Sequence, residues 1–266
     1  MPKADRKSSF PAGPCPYLPD REWWIRTESL PPLSGSTEHY EDLLSAGWRR
    51  NGYIVYQNHC PGCSRCIPLR VPSSVQPATK SHRRLGKKNQ DLQVIVSEPR
   101  VTQEFIDLYL RYQEQRHDDS SLEPEGFENF FCRSGVDTQF MEYRDSRGVL
   151  LGLGLVDLFP NSISSVYFVF DPLESRRSLG IYSLYREVEL VRKLGKGYLH
   201  LGFWVPGSPK MEYKGSLYPH EVLSPRGWIR RERPEDPVPL PGLIGSSFDQ
   251  STDEQRQVFG TRDFFL

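Results

Sequence analysis

Three cysteines lie close together on one short segment, Cys60-Pro-Gly-Cys63-Ser-Arg-Cys66. This spacing allows successive thiolates to converge on one tetrahedral metal ion or on the irons of a cluster. A fourth ligand is required, for which Cys15 is the first candidate and His59 the second. The flanking cations are expected to favour thiolates by lowering the thiol pKa values. The segment therefore predicts a zinc or iron–sulfur site, and the alternative is a group of unligated thiols.

The residues from Leu43 to Gln90 include no Asp or Glu, although 26% of the chain is charged. The cations of this stretch are Arg49, Arg50, Arg65, Arg70, Lys80, Arg83, Arg84, Lys87 and Lys88. A surface of one sign attracts a polyanion and steers its approach, and nearby rings such as Tyr53 and Tyr56 can stack on unpaired bases. We predict nucleic acid binding here, against the alternative of a solvated basic face with its aromatic residues in the core.

A third segment, Arg177-Ser-Leu-Gly180-Ile-Tyr182, precedes an apolar helical pattern. It is similar to the first half of the loop with which N-acyltransferases offer backbone N–H groups to a pyrophosphate at a helix N-terminus. Tyr182 stands where the second small residue of that loop belongs, and we expect its side chain to obstruct coenzyme A. A coenzyme A-dependent N-acetyltransferase is therefore an alternative function, and a non-catalytic Cys-rich RNA-binding module is another.

Composition excludes several classes of protein. The 266 residues carry 34 Lys and Arg against 34 Asp and Glu. No apolar run approaches the roughly 20 residues that span a bilayer, and the N-terminus has no apolar signal region. Five cysteines are too few for a disulfide scaffold, so we expect a cytoplasmic protein without a membrane association.

Hydrophobic periodicity predicts the elements that would position these residues. Helices are predicted over residues 37–46, 76–88, 102–116 and 180–195, and strands over residues 52–57, 92–97, 139–144, 149–158, 165–170 and 198–205. Residues 1–35 are rich in Pro, Gly and Ser and are expected to be mostly loop. The order of three strands, a helix and a strand after residue 139 matches an N-acyltransferase core, with a parallel final crossover.

These elements predict a mixed α+β fold with three parts. Residues 1–100 would form a smaller N-terminal domain that holds the cysteines and the basic stretch. Residues 101–230 would form an acyltransferase-like domain of the GNAT type. Residues 231–266 are acidic and rich in proline at their start, and we expect an extended, weakly ordered tail.

Several ordered segments together resemble one family. They are Cys15-Pro-Tyr-Leu-Pro19, Tyr40-Glu-x-Leu-Leu44, Gly47-Trp-Arg-Arg50-x-Gly52, the three-cysteine segment, Tyr112-x-x-x-Arg116-His117, Ser165-x-Tyr167-x-x-Phe170-x-Pro172, Arg177-Ser-Leu-Gly180, Leu201-Gly202-Phe203-Trp204 and Lys210-Met-x-Tyr-Lys214. Over roughly residues 15–228 the chain resembles the aminoacyl-tRNA–protein transferases, which include bacterial aspartate/glutamate leucyltransferases and eukaryotic arginyltransferases. One departure is Ser208, which stands where many members have Cys.

The resemblance implies transfer of an amino acid from charged tRNA to the N-terminal Asp or Glu of a protein, which marks that protein for degradation. Similarity to the short bacterial members favours Leu as the donated amino acid, with Arg as the alternative. The partners implied are an aminoacyl-tRNA and a protein substrate. No cofactor is required for transfer, although eukaryotic relatives carry an iron–sulfur cluster on N-terminal cysteines.

The chemistry of this transfer needs few groups, because the ester of an aminoacyl-tRNA is already activated. The acceptor's α-amine attacks the ester carbonyl, and Asp171 or Glu212 is the candidate that takes its proton. Tyr167 or Tyr213 is the candidate donor to the leaving ribose oxygen.

Substrate binding needs cations for the acceptor's carboxylate and for the tRNA phosphates. The candidates around the acceptor are Arg176, Arg177, Gly180, Trp204, Lys210 and Lys214, although Trp204 is also a natural core residue. The candidates for tRNA contact are Arg49, Arg50, Lys80, Arg83, Arg84, Lys87 and Lys88.

Overall fold

The computed structural model describes residues 9–29, 36–75, 80–117 and 124–238. A small antiparallel sheet occupies the first part of the chain, with the strand order β1-β2-β4-β3. Its strands are β1 (Phe10–Pro14), β2 (Glu22–Ser29), β3 (Arg49–Asn51) and β4 (Ile54–Asn58), and helix α1 (Ser36–Ser45) precedes β3.

A larger, eight-stranded sheet forms the centre of the protein, in the order β12-β11-β5-β10-β9-β8-β7-β6. Its strands are β5 (Ile67–Pro72), β6 (Gln93–Ser97), β7 (Asp137–Arg144), β8 (Leu150–Leu158), β9 (Ser162–Phe170), β10 (Tyr198–Trp204), β11 (His220–Ser224) and β12 (Gly227–Arg231). Strands β9 and β10 are parallel, and the other recorded pairings are antiparallel.

Helices cover this sheet. The helices are α2 (Lys80–Lys88), α3 (Gln103–His117), α4 (Pro124–Phe127) and α5 (Leu179–Lys193), with 3-10 turns at Pro172–Arg177 and Glu212–Ser216. The periodicity predicts the apolar faces of two of them, α3 and α5. In α5, Leu184, Val188 and Val191 are buried in one core cluster, whereas Phe105 and Leu108 of α3 belong to another. The α+β class and the strand–helix order of an acyltransferase core are confirmed. None of the described helices is long and apolar enough to cross a membrane.

The expectation of loop over residues 1–35 is wrong where the structure describes them. Phe10 and Ala12 of β1 pack with Trp23 and Ile25 of β2 in a small apolar cluster. Pro11 and Pro14 obscure the alternation in the first strand of this hairpin, and an edge strand tolerates proline. Strand β5 was also missed, because its short apolar run follows the cysteine segment and includes Pro68 and Pro72.

The large sheet includes strands from before and after residue 100. The domain boundary predicted at residue 100 therefore does not coincide with a division between the two sheets. Strand β5 lies between β10 and β11, and β6 pairs with β7. The start of the predicted tail is anchored, because Arg231 is buried and donates to the carbonyl oxygens of Pro234 and Asp236. Residues 239–266 lie outside the described residues, as do residues 76–79 at the start of the second predicted helix.

The parallel strands β9 and β10 pair only along their first halves. Residues Tyr198–His200 face Ser162–Ser164, and the recorded register of these two described strands goes no further. The register of β10 with β5 also shifts between His200 and Gly202. Strands β9 and β10 therefore separate toward their carboxyl ends, which is where α/β folds form ligand sites.

Candidate active site

Two cationic side chains meet at Gly202, where β10 departs from regular pairing. Gly202 has a φ of +79°, a conformation that side chains other than glycine rarely adopt. A Cβ atom there would lie 3.3 Å from Nε of Arg49 and 3.5 Å from Nζ of Lys214. The two cations therefore lie against the backbone of Gly202, and a larger residue would crowd both of them.

Arg49 belongs to this site and not to an exposed basic surface. Its residue is only 7% exposed, and its guanidinium lies 5.7 Å from the ring of Phe203. Nη1 donates to the carbonyl oxygen of Trp48 at 2.9 Å, whereas Nε and Nη2 are buried and have no hydrogen-bond partner in the described part of the chain. Burial lowers the pKa of Arg49 from its ordinary value. The prediction that Arg49 contacts tRNA phosphates at the surface is corrected by this burial.

A buried carboxyl group, Glu187 of α5, completes the charged part of the site. It is 1% exposed, its Oε2 has no hydrogen-bond partner among the described residues, and Ser165 of β9 is hydrogen-bonded to it. Burial raises the pKa of Glu187 to about 8. Burial and the nearby charge of Arg49 lower the pKa of Lys214 to about 8, against the opposing effect of Glu187. The site thus holds an acid and a base that titrate in the same pH range.

Sequence reasoning missed Glu187, although a signal for it exists. Leu184, Glu187, Val188 and Val191 follow the i, i+3, i+4, i+7 spacing of one helix face. A carboxylate within an apolar stripe is expensive to bury unless it is used. That position distinguishes Glu187 from Glu189, the other acid of this helix, which is half exposed and paired with Arg186.

Two tyrosines, Tyr56 and Tyr213, interact electrostatically with the charged groups, and a third, Tyr167, interacts with Tyr213. Burial raises the pKa values of Tyr167 and Tyr213 far above the ordinary value, and electrostatic interaction links these two residues to one another. Tyr213 also interacts with Glu187, and Tyr56 lies close enough to Arg49 for its charge to lower the pKa of Tyr56 against a larger increase from burial. The hydroxyls are therefore neutral at physiological pH and can both donate and accept hydrogen bonds.

The two carboxylates predicted to take a proton are engaged in local structure. Asp171 caps the 3-10 turn by accepting from the N–H of Leu173 at 3.0 Å, and it forms an ion pair with Arg111. Glu212 is exposed and accepts from the N–H of Gly207. Glu187 is therefore the better candidate for proton transfer, because it is in electrostatic contact with Lys214 and Tyr213.

Trp204 is a core residue. It is buried, its ring lies 5.8 Å from that of His220, and the guanidinium of Arg231 lies 5.2 Å from it. A Cβ on Gly215 would lie 2.6 Å from the indole. The indole of Trp204 thus packs against Gly215, in the segment that carries Lys214.

The cations predicted around the acceptor are divided by the structure. Arg177 is held by both oxygens of Asp91, at 2.8 and 2.9 Å, and by Glu174 at 2.7 Å. Arg176 and Lys210 are exposed, and a Cβ on Gly180 would meet nothing within 4 Å. Of the predicted set, only Lys214 lies at the Gly202 break, and the charge of Arg177 is already neutralised.

Tyr182 does not obstruct the loop before α5. Its side chain is buried in the core, where its ring lies 6.1 Å from that of Tyr143. The loop is instead tied to α2, because Lys88 donates to the carbonyl oxygen of Arg176 and Asn89 donates to that of Arg177. The expectation that Tyr182 blocks coenzyme A is wrong.

Helix α2 presents the exposed part of the predicted basic stretch. Its cations are Lys80, Arg83, Arg84, Lys87 and Lys88, and all are exposed. His82 holds the helix against α5 through a ring contact with Tyr185 at 4.4 Å. The positively charged face of α2 is therefore held next to α5, the helix that carries Glu187.

Arg50 is not available to RNA, which corrects its predicted role. Its Nη2 and Nε lie 2.5 and 2.6 Å from the two carboxylate oxygens of Asp157. The two side chains are 1% and 0% exposed, and Thr138 is hydrogen-bonded to both. This network joins β3 of the small sheet to β7 and β8 of the large one.

The four cysteines predicted to bind a metal line one cavity. Cys15, Cys60, Cys63 and Cys66 share it with Trp23, Trp24 and Arg21 among others. Burial and the neighbouring thiols raise the pKa values of Cys60 and Cys66, so the expected lowering by flanking cations is wrong for these two. Among the described residues, no group of three His, Cys, Asp or Glu side chains is already arranged as metal ligands. Thiols are the donor type that a soft metal prefers, but as these four described side chains are placed, no three of them form a group that could hold a metal ion.

Comparisons with known proteins match both parts of the chain to one family. The models of the arginine-tRNA-protein transferase N terminus and C terminus match residues 13–84 and 104–224. The aspartate/glutamate leucyltransferase of Pseudomonas fluorescens (strain Pf0-1) is 36% identical over 219 residues, which cover 81% of this chain and 92% of that protein. The protein of the same name from Halorhodospira halophila (strain DSM 244 / SL1) is 36% identical over 223 residues, covering 82% and 94%.

A solved structure, that of FemX, aligns with a TM-score of 0.43 and 10% identity over 70% of this chain and 65% of that one. The family models cover the cysteine segment, the first half of the basic helix α2 and the strands around Gly202. The similarity extends along nearly the whole length of the leucyltransferases. The chain therefore belongs to the aminoacyl-tRNA–protein transferase family, together with the arginine-tRNA-protein transferases and the aspartate/glutamate leucyltransferases that it matches.

Proposed function

We propose that this protein transfers leucine from leucyl-tRNA to the N-terminal Asp or Glu of other proteins in the cytoplasm, and so marks them for degradation. The observation that carries the proposal is the 36% identity to aspartate/glutamate leucyltransferases over 92% of their length. Arginine is the alternative donated amino acid, because the matching family models are described by arginine-tRNA.

The side chains at the Gly202 break suit the chemistry of this transfer. An α-amine has a pKa near 8, so about a tenth of it is neutral at pH 7. Glu187 has a pKa of about 8, so about a tenth of it is ionised at pH 7. This ionised fraction takes the proton from the attacking amine, in a step that is nearly balanced in free energy. The hydroxyl of Tyr213 or Tyr167 can donate to the leaving ribose oxygen. We assign the acceptance of the amine's proton to Glu187 in place of Asp171 and Glu212, whose oxygens are occupied locally.

The test offers the purified protein an Asp-initiated peptide together with separately charged and labelled leucyl-tRNA or arginyl-tRNA. Labelled leucine on the peptide is the expected result. Labelled arginine on the peptide, with no leucine, would show that arginyl-tRNA is the donor and would leave the proposed type of reaction unchanged. Acetylation of the peptide from acetyl coenzyme A, with no transfer from either tRNA, would overturn the proposal.

We propose that the exposed face of α2 binds the acceptor arm of the tRNA. The support is its run of exposed cations and its attachment to α5, the helix that carries Glu187. Such contacts release counterions. The logarithm of the affinity therefore falls linearly with the logarithm of the salt concentration, with a slope proportional to the number of phosphates neutralised.

Reversing the charges of Arg83, Arg84 and Lys87 to Glu should weaken tRNA binding by more than about tenfold and flatten its salt dependence. Lys88 is left intact because it also donates to the backbone at Arg176. Filter binding at several salt concentrations measures both quantities. The matched control reverses Lys193, Arg226 and Arg230, which are exposed cations on other elements. Equal affinity and slope in the two triple variants would remove α2 from the interface.

We also propose that the four cysteine thiols bind one soft metal centre, either zinc or an iron–sulfur cluster. The support is that Cys15 shares the cavity of the three-cysteine segment although it precedes that segment by 45 residues in sequence number. Thiolates are the ligands that both centres prefer. The centre would hold the N-terminal hairpin against the cysteine segment and is not required for transfer.

Protein purified without oxygen should contain stoichiometric zinc, or iron with sulfide. Replacing Cys63 by Ser should reduce that content severalfold, because a structural site with a missing thiolate is weakened. Cys132 provides the matched control, since it lies in the separate core cluster beside α3, and its replacement by Ser should leave the metal content unchanged. Fully active protein with neither metal would show that the thiols are unligated.

A further inference from the structure

Along one edge of the Arg49 guanidinium, the N–H donors make no hydrogen bond to the described residues. Nε and Nη2 are buried and lack a hydrogen-bond partner among the described residues, while Nη1 is satisfied by Trp48. Nε and Nη2 form a planar fork whose spacing matches the two oxygens of a carboxylate. A buried charge that leaves donors empty is costly to keep, so this edge is built to receive an anion.

Lys214 supplies a second positive charge at the same place. Its Nζ and Arg49 Nε both lie within 3.5 Å of the position that a Cβ would take at Gly202. Neither cation forms an ion pair with a carboxylate within the described ranges. The acid in electrostatic contact with Lys214 is Glu187. Two cations against one carboxyl leave at least one positive charge uncompensated, which matches a singly charged anion.

We propose that Arg49 and Lys214 bind the side-chain carboxylate of the acceptor's N-terminal Asp or Glu. The empty edge of Arg49 would take both oxygens, and Lys214 would take one of them. This inference rests on the proposed function and names the residues that give it its acceptor specificity. The carboxylate of a first residue sits on a short arm beside the free α-amine. A receptor at Gly202 would therefore hold that amine near Tyr213 and Glu187.

A phosphate of the tRNA is the competing ligand for the same cations. It is bulkier than a carboxylate and belongs to a polymer backbone, whereas Arg49 is almost completely buried. The exposed cations of α2 are better placed for such phosphates. The buried site is therefore assigned to the acceptor and the exposed helix to the tRNA.

The experiment compares kcat/KM for otherwise identical peptides that begin with Asp or Asn, using saturating charged tRNA. The wild-type ratio of Asp to Asn should be at least about tenfold, as expected for charged hydrogen bonds in a partly desolvated site. In Arg49→Gln the ratio should fall to within about threefold of unity, and the affinity for tRNA should not change. Arg49→Lys keeps the charge without the fork and should give an intermediate ratio.

The ratio is insensitive to partial unfolding, because both peptides meet the same enzyme preparation. Lys214→Met gives a second measurement if Arg49→Gln does not fold, and it should also lower the ratio. Arg177→Gln tests the competing cation and should keep the preference for Asp over Asn, because Asp91 already neutralises Arg177.

Transfer that retains its Asp preference in both Arg49→Gln and Lys214→Met would overturn the inference and leave the proposed function intact. Weaker tRNA binding with an unchanged ratio would reassign Arg49 to the tRNA. Absence of transfer from any charged tRNA by the wild type would instead overturn the proposed function.

Discussion

Replacing Arg50 by Met is expected to lower the free energy of unfolding by about 3–5 kcal/mol, because the substitution leaves the carboxylate of Asp157 buried without its cation. The pair is bidentate, with Arg50 Nε to Asp157 Oδ2 at 2.6 Å and Nη2 to Oδ1 at 2.5 Å. Asp157 is fully buried, so water cannot replace the lost partner. Urea unfolding followed by tryptophan fluorescence at pH 7 measures the change.

Two controls separate the buried charge from the loss of side-chain volume. Adding Asp157→Asn to Arg50→Met removes the stranded charge and should recover part of the stability. Arg147→Met removes an ion pair with Asp145 in which the Arg147 side chain is 79% exposed, and should change stability by less than about 1 kcal/mol. A loss below about 1 kcal/mol in Arg50→Met would show that the two sheets are not held together by this pair.

The contrast between Arg50 and the α2 cations shows what a run of charges in a sequence can predict. The absence of acids from Leu43 to Gln90 does predict an exposed basic face, which α2 provides. It does not reveal which cation has a partner far away in sequence. Asp157 is 107 residues from Arg50, and that pairing exists only after the two sheets meet.

Local patterns predicted the elements between β7 and β10 because each has its own periodicity. The apolar face of α5 and the alternation in the flanking strands are properties of short segments. Strand β5 depends instead on its neighbours. It is a short segment with two prolines that becomes a central strand only because β10 and β11 pair with it on either side. Of the site at Gly202, only Lys214 was predicted for acceptor binding, because the site joins β3, α5, β10 and the turn that carries Lys214.

Glu187 is expected to make the protein less stable as pH rises through neutrality. Its pKa is about 8 in the folded protein against an ordinary value of 4.5, so between those values the folded state binds more protons than the unfolded state. Stability then falls with increasing pH, by up to about 1.4 kcal/mol per pH unit. Lys214 has the opposite effect in a higher range, because its pKa is lowered from 10.5 to about 8. Stability from Lys214 therefore rises between about pH 8 and 10.5.

Replacing Glu187 by Gln removes the titrating proton and keeps a hydrogen-bonding group near Ser165. The variant should unfold at nearly the same urea concentration as the wild type at pH 5 and should become progressively more stable than it up to pH 8. The expected difference at pH 8 is several kcal/mol, since each pKa unit corresponds to about 1.4 kcal/mol. Glu189→Gln is the matched control on the same helix, where the carboxylate is half exposed and paired with Arg186. Its stability curve should run parallel to that of the wild type.

A curve for Glu187→Gln that also runs parallel to the wild type would mean that Glu187 is ionised in the folded protein throughout this range. Lys214 and Glu187 would then neutralise one another and leave only the charge of Arg49 for an incoming anion. The predicted divergence instead describes a carboxyl that is mainly protonated at pH 7 and leaves both cations available. The shape of the stability curve therefore measures the charge that the Gly202 site offers to its substrate, before any substrate is added.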